Sequence, residues 1–214
     1  MSDQKITLTL PDGSQREYSS GVTGLEVAQS IASGLARAAL SITVNGDIID
    51  LDRPITEDAE IAINTWDSED GKYTFWHSSA HLLAEAIQDL YPKAKFAIGP
   101  PIESGFYYDI DFGDKQISQE DLPKIEKKII EMARKKTEFE RKEVSKDEAL
   151  SFYEEKGNEY KVELIENLED GNITFYTQGD FTDLCRGPHI PNTKDVKAVK
   201  LTSLAGAYWR GDSD

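Results

Sequence analysis

All three histidines and the only cysteine of this 214-residue chain fall into two pairs. His77-Ser-Ser-Ala-His81 sets two imidazoles four residues apart, and Cys185-Arg-Gly-Pro-His189 repeats that spacing. On a helix, positions i and i+4 share one face, so His77 and His81 are expected to border one cleft. Gly187 and Pro188 keep the second segment from being helical. One such pair is weak evidence, but an accident would have to occur twice and use every His and Cys. Two chemistries fit the tetrad. Three imidazoles and a thiolate make a plausible tetrahedral zinc set. The metalloprotease pattern is absent, because Ser78 stands where that helix needs a glutamate. The other chemistry is metal-free hydrolysis, in which neutral imidazoles and a lysine position water and substrate hydroxyls.

The elements that must hold these residues form two domains, 1–64 and 65–214. In the first, Ile6 to Leu10 alternates as a strand, Pro11-Asp12-Gly13-Ser14 turns, and Gln15 to Tyr18 returns. Thr23 and Glu26 have capping-box spacing ahead of a helical face of Val27, Ala28, Ile31, Ala32 and Leu35. Ser41 to Val44, Ile48 to Leu51 and Glu60 to Ile63 read as further short strands, with Asn45-Gly46 as a turn. A hairpin, one helix and more strands suggest a ubiquitin-like β-grasp. Nothing in it has a catalytic arrangement.

Asp67 to Gly71 reads as a linker, followed by a helix from Thr74 to Leu90 with Trp76, Ala80, Leu83, Ala84, Ile87 and Leu90 on its buried side. Phe96 to Gly99 and Phe106 to Phe112 look like paired strands. A second long helix is expected from about Gln119 to Phe139, capped by Ser118, and a third from Lys146 to Lys156. Val162 to Ile165, Ile173 to Thr177, Val199 to Leu201 and Ala207 to Trp209 are strand-like. The fold class is therefore α+β, with an antiparallel sheet and a long helix in the second domain.

Composition bounds the function. No apolar run is long enough to span a bilayer, the start carries no export signal, and a single cysteine excludes an internal disulfide. These point to a cytoplasmic protein with no membrane partner. The net charge of −16 opposes long-range attraction to nucleic acid. The most basic stretch is Lys124, Lys127, Lys128, Arg134, Lys135, Lys136, Arg141 and Lys142. A solvated face salted with Glu is the first explanation for it, and phosphate contact is the weaker case.

The segments HSSAHLLAEAI at 77–87, AIGPPIESGFYYDID at 97–111, YKVELI at 160–165, DLCRGPHIP at 183–191 and AGAYWRGDS at 205–213 resemble the editing domain of bacterial threonyl-tRNA synthetases. Residues 1–64 resemble the TGS domain that precedes it. The resemblance implies an N-terminal fragment, truncated at its C-terminal end. It would hydrolyse mischarged Ser-tRNA(Thr), while the parent enzyme performs ATP-dependent attachment of threonine to tRNA(Thr). It further implies catalytic roles for His77, His81, Lys161, Cys185 and His189, and substrate contacts from Asp183, Tyr108 and Gly99.

In that scheme His77 and His81 face the terminal ribose and the ester. Lys161 positions or activates water if burial lowers its pKa. Asp183 holds the serine amine or hydroxyl, and Cys185 and His189 complete the wall. Gly99 permits close backbone approach, and Tyr108 stacks or hydrogen-bonds near the adenosine. Cys185 as a covalent nucleophile is a minor alternative. The resemblance implies no metal and no cofactor in this fragment. Zinc, ATP and magnesium belong to the parent's catalytic core. The expected partners are the tRNA(Thr) 3′ end and a seryl group, with a monomeric fragment and a homodimeric parent. Two other functions compete: a tRNA-docking module without activity, and a zinc-dependent hydrolase of small esters.

Overall fold

The computed structural model describes residues 4–206, so the strand expected at Ala207 to Trp209 and most of the 205–213 motif lie outside the described residues. The chain is α+β and forms two compact units. Among the described residues, the first takes in 4–78, 101–105 and 186–192, and the second 79–100, 106–185 and 193–206.

The first unit is built on a five-stranded sheet. Lys5–Thr9 pairs antiparallel with Gln15–Ser19 and parallel with Ala59–Asn64, which pairs antiparallel with Ser41–Val44, and that strand with Asp47–Ile49. The parallel pair at the centre, with a helix crossing one face, is the expected β-grasp arrangement. Helix α1 (Gly24–Ile31) starts where the Thr23 side chain accepts the Glu26 N–H and the Glu26 carboxylate accepts the Thr23 N–H. The helical face does not run unbroken to Leu35. Ala32 is extended, and Ser33-Gly34, poor helix formers, open a separate short helix α2 (Ser33–Ala38). Ile6, Leu8, Val27, Ala28, Ile42, Leu51, Ile55 and Ile61 fill the core.

Helix α3 (Glu69–Leu90) begins five residues earlier than the sequence suggests, so the stretch expected to be a linker is largely its first turn. Ser68 supplies the cap, its Oγ accepting the Gly71 N–H at 3.1 Å. Gly71 suits this place for a different reason: a Cβ there would lie 1.9 Å from the Thr65 carbonyl oxygen. A polar seam ties the helix to its own unit's sheet. Thr74 Oγ1 donates to Ser41 Oγ at 2.8 Å, and Thr43 Oγ1 to Asp70 Oδ2 at 2.8 Å. Burial along α3 is not a stripe. Every residue from His77 to Ile87 is buried, whereas Trp76 and Leu90 are only partly so.

In the second unit, α4 (Leu122–Arg134) follows a turn capped by Ser118 and buries Leu122, Ile125, Ile129 and Met132. It stops short of Phe139, because Lys136 takes a left-handed backbone (φ 59°) and Thr137 turns to donate its N–H to Thr193. Glu140–Val144, Ile173–Gln178 and Phe181–Leu184 form an antiparallel three-stranded sheet. Helix α5 (Lys146–Glu155) is capped by Ser145, and α6 (Glu159–Glu166) by Asn158.

The expected strand at Val162 to Ile165 is therefore helical. Asn158 accepts the Lys161 N–H, and Lys161 and Ile165, four apart, are the buried face. Val199 to Leu201 is not a strand either; Leu201 N–H donates to Glu126 at 2.8 Å. Pairing of the 96–99 and 106–112 segments is short: Lys95–Phe96 with Ile110–Asp111, continued by hydrogen bonds between Ala97, Ile98 and Asp109. Part of the basic stretch is paired with carboxylates. Lys128 pairs with Asp89 and Glu131, Arg141 with Glu143, and Lys142 with Glu148. No helix among the described residues is long and apolar enough to cross a membrane.

Candidate active site

The first unit holds His77 and His189 together. Their rings stack with centroids 4.4 Å apart. His77 Nδ1 lies 3.2 Å from the Pro188 carbonyl oxygen, which can only accept, so Nδ1 carries a proton. Ser78 fixes His189. Its Oγ donates to the Thr74 carbonyl at 2.9 Å, accepts the Ile190 N–H at 2.9 Å, and lies 3.0 Å from His189 Nδ1. With the hydroxyl hydrogen spent on Thr74, Nδ1 of His189 must be the donor. In its neutral form each ring then carries the lone pair on Nε2. Setting the tautomer through the opposite nitrogen is how proteins prepare an imidazole to accept a proton or bind a metal.

The second unit gathers His81, Lys161, Asp183 and Tyr108 around one carboxylate. Asp183, on the last sheet strand, is 4% exposed. Its Oδ1 receives Lys161 Nζ at 2.6 Å and the Tyr153 hydroxyl at 3.3 Å. Its Oδ2 accepts the Tyr108 hydroxyl and lies 3.8 Å from His81 Nε2. Burial alone would raise this carboxyl, but the Lys161 charge, the His81 charge where that ring is protonated at low pH, and the donors around it outweigh burial and hold it below the usual carboxylate range. Asp183 is therefore an anion at the hub. Burial, and then the Asp183 charge, push the Tyr108 phenol well above its ordinary range, so it remains a donor.

His81 is lowered to about 4, chiefly by burial and further by Lys161, against the pull of Asp183. It is neutral at pH 7. Cys185 is buried and follows Asp183 by two residues, with its N–H donating to the Thr174 carbonyl at 3.0 Å and its carbonyl accepting the Thr174 hydroxyl. His77, His81, Cys185 and His189 offer donor types that hold a metal ion.

Gly99 matters for what stands over it. A Cβ there would lie 2.2 Å from Tyr108 Cδ2. Gly99→Ala is expected to push the Tyr108 ring off Asp183 at a cost of about 1–3 kcal/mol, or roughly 2–12 °C in thermal midpoint. A melt followed by circular dichroism checks this, and an unchanged midpoint would mean that the ring has room to move.

A second prediction concerns pH. The His81 ring titrates at 6.5 when unperturbed and at about 4 in the fold. The unfolded chain binds the extra proton between those values. The contribution of His81 is therefore complete above pH 6.5 and lost as pH falls through 4. Glu85 runs the other way. Burial lifts its carboxyl from 4.5 to about 7, with Asp180 and Asp89 adding to the rise and Lys135 opposing it. Its contribution is complete below pH 4.5 and lost as pH rises through 7. Glu85→Gln should raise the thermal midpoint at pH 8 and leave it nearly unchanged at pH 4. Equal shifts at both values would show that ionisation is not the cause.

Three residues that share this work escaped the sequence reading. Ser78 had a visible signal, a serine inside a buried helical run next to His77. Tyr153, whose hydroxyl also accepts the Leu184 N–H at 2.7 Å, looks like one more aromatic on a helix face. Asp50, which accepts the His189 N–H at 2.8 Å, has no local signal, since its partner lies 139 residues away.

Comparison with known proteins bears on the identity of this arrangement. Residues 6–65 match the TGS domain, and residues 173–214 match the threonyl and alanyl tRNA synthetase second additional domain. Over 207 residues, 97% of the chain, it is 58% identical to threonine–tRNA ligase of Cytophaga hutchinsonii, covering 32% of that protein. The enzyme of that name from Bacteroides fragilis is 57% identical over 209 residues, 98% of the chain and 32% of the relative. Over nearly its whole length the chain is similar to threonyl-tRNA synthetases. It spans about a third of the length of the curated relatives it matches. The second match begins at Ile173, at the strand that leads to Asp183, Cys185 and His189. The sequence features shared with threonyl-tRNA synthetases thus include the strand and loop that carry three of the candidate residues.

Proposed function

We propose that this chain hydrolyses the ester of Ser-tRNA(Thr) at the 3′-terminal adenosine, correcting mischarging by a parent enzyme that attaches threonine to tRNA(Thr) with ATP. The observation that carries the reading is the buried Asp183 anion, which clamps the donors Lys161 and Tyr108 beside a neutral His81. Water attacks the ester carbonyl, the acyl–oxygen bond breaks, and the ribose hydroxyl leaves with a proton. Serine departs as its carboxylate. A neutral imidazole, as at His81, suits the proton transfers, and roles for His77 and His189 in positioning water or ribose are part of the same reading. One of the three Lys161 N–H bonds is committed to Asp183, and the others orient water or the carbonyl oxygen. Cys185 and Gly99 complete the wall, and Asp183 receives the polar groups of serine.

The need for such a step is physical. Threonine exceeds serine by one methyl, worth about 1–3 kcal/mol or roughly 10–200-fold in a binding pocket. A second, hydrolytic sieve supplies the remaining discrimination. The domain boundary is placed near residue 64, and the TGS domain and editing domain act together in the cytoplasm as a monomeric fragment of a homodimeric parent. The reaction needs no metal here; zinc, ATP and magnesium serve the parent's charging reaction.

The test is release of serine from preformed Ser-tRNA(Thr), with and without a strong chelator. Release that survives chelation supports the reading. Activity abolished by chelator and restored by zinc would favour a metallohydrolase, and tRNA binding without release would favour a docking module.

A further inference from the structure

The β-grasp fold contains nothing that looks catalytic, yet one of its carboxylates holds a site histidine. Asp50 follows the strand Asp47–Ile49 and is 8% exposed. Its Oδ1 accepts the His189 backbone N–H at 2.8 Å. The next N–H, of Ile190, goes to Ser78 Oγ, and the preceding carbonyl, of Pro188, receives His77 Nδ1. Three successive residues of this loop are thus pinned, two by the long helix and one by the β-grasp. All of these residues belong to one compact unit.

We propose that Asp50 is a positioning residue for His189, and that the β-grasp fold frames this histidine for its share of the hydrolysis. The inference rests on the deacylase reading and deepens it. Without the Asp50 acceptor, His189 N–H is left buried with that bond unmade, and the loop shifts to satisfy it. A displacement of about 1 Å at a reacting group can cost on the order of a hundredfold in rate.

The experiment uses the whole chain with Asp50→Ala, Asp50→Asn and Asp50→Glu. Asparagine keeps an acceptor oxygen in place, alanine removes it, and glutamate keeps the charge but moves the acceptor by one methylene. In single-turnover serine release, Asp50→Ala and Asp50→Glu should lower the maximal rate about 10–100-fold with little change in half-saturating Ser-tRNA(Thr), while Asp50→Asn stays within a few-fold of wild type. Amide exchange at His189 should quicken more than about tenfold in the alanine and glutamate variants, with Ile6 and Leu8 unaffected. A wild-type rate in Asp50→Ala, failure of asparagine to rescue, or unchanged His189 exchange would overturn the proposal. If alanine prevents folding, the contrast between asparagine and glutamate decides. A wild-type chain that releases no serine would sink the deacylase reading instead, and His189 exchange would still report whether Asp50 holds the loop.

Discussion

Asp183→Ala is expected to cost about 3–5 kcal/mol of stability, the usual penalty for stranding the partner of a buried ion pair. Lys161 and Asp183 are 3% and 4% exposed and 2.6 Å apart, so water cannot take the place of the lost carboxylate. In a chain of this size the loss corresponds to roughly 6–20 °C in thermal midpoint. The residues should also be strongly non-additive. Lys161→Met combined with Asp183→Leu removes both charges and is expected to be far less damaging than Asp183→Ala alone, because nothing charged is left buried. A thermal or denaturant melt of the single and double variants checks this. A loss below about 1 kcal/mol for Asp183→Ala would mean that the cluster is hydrated and the carboxylate is not its hub.

His77→Ala is expected to slow serine release about 10²–10⁴-fold, the range for removal of a positioned acid or base. Its ring stacks on His189 and its Nδ1 proton is committed to Pro188, so only Nε2 carries the lone pair. Asparagine at this position could restore a donor to Pro188 but not the basic nitrogen, and should rescue folding without rescuing rate. Cys185→Ala should also depress release strongly. Rapid-quench deacylation at saturating enzyme measures both, and a wild-type rate in His77→Ala would remove the imidazole from the chemistry.

The pairing of His and Cys residues was legible in the sequence because it is local: a four-residue spacing needs no knowledge of the fold. The β-grasp was legible for the same reason, through an alternating hairpin, the Thr23–Glu26 cap and the Asn45-Gly46 turn. Local patterns misled where short segments support two structures. Val162 to Ile165 has strand-forming residues, but the Asn158 cap and the spacing of Lys161 and Ile165 make it helical. Asp67 to Gly71 reads as a flexible polar stretch, whereas Ser68 makes it a helix start. The hub at Asp183 was beyond reach, since its donors Tyr108, Tyr153 and Lys161 lie on separate elements 22–75 residues away. Asp50 is the extreme case, a carboxylate whose role depends on a loop 139 residues later.

The net charge of −16 also finds a local context. In the basic run on α4 and the following strand, Lys128, Arg141 and Lys142 pair with nearby carboxylates. In the deacylase reading, contact with the 3′ end of a tRNA works against this net charge and depends on short-range fit more than on long-range attraction. Serine release by the isolated chain should accordingly show weak affinity and only a modest salt dependence.

The most direct measurement compares two substrates under single-turnover conditions, tRNA(Thr) carrying serine and the same tRNA carrying threonine. Rapid release of serine with threonine left attached is the predicted result. Equal rates for the two amino acids, or no release of either above spontaneous hydrolysis, would contradict a proofreading role for this chain.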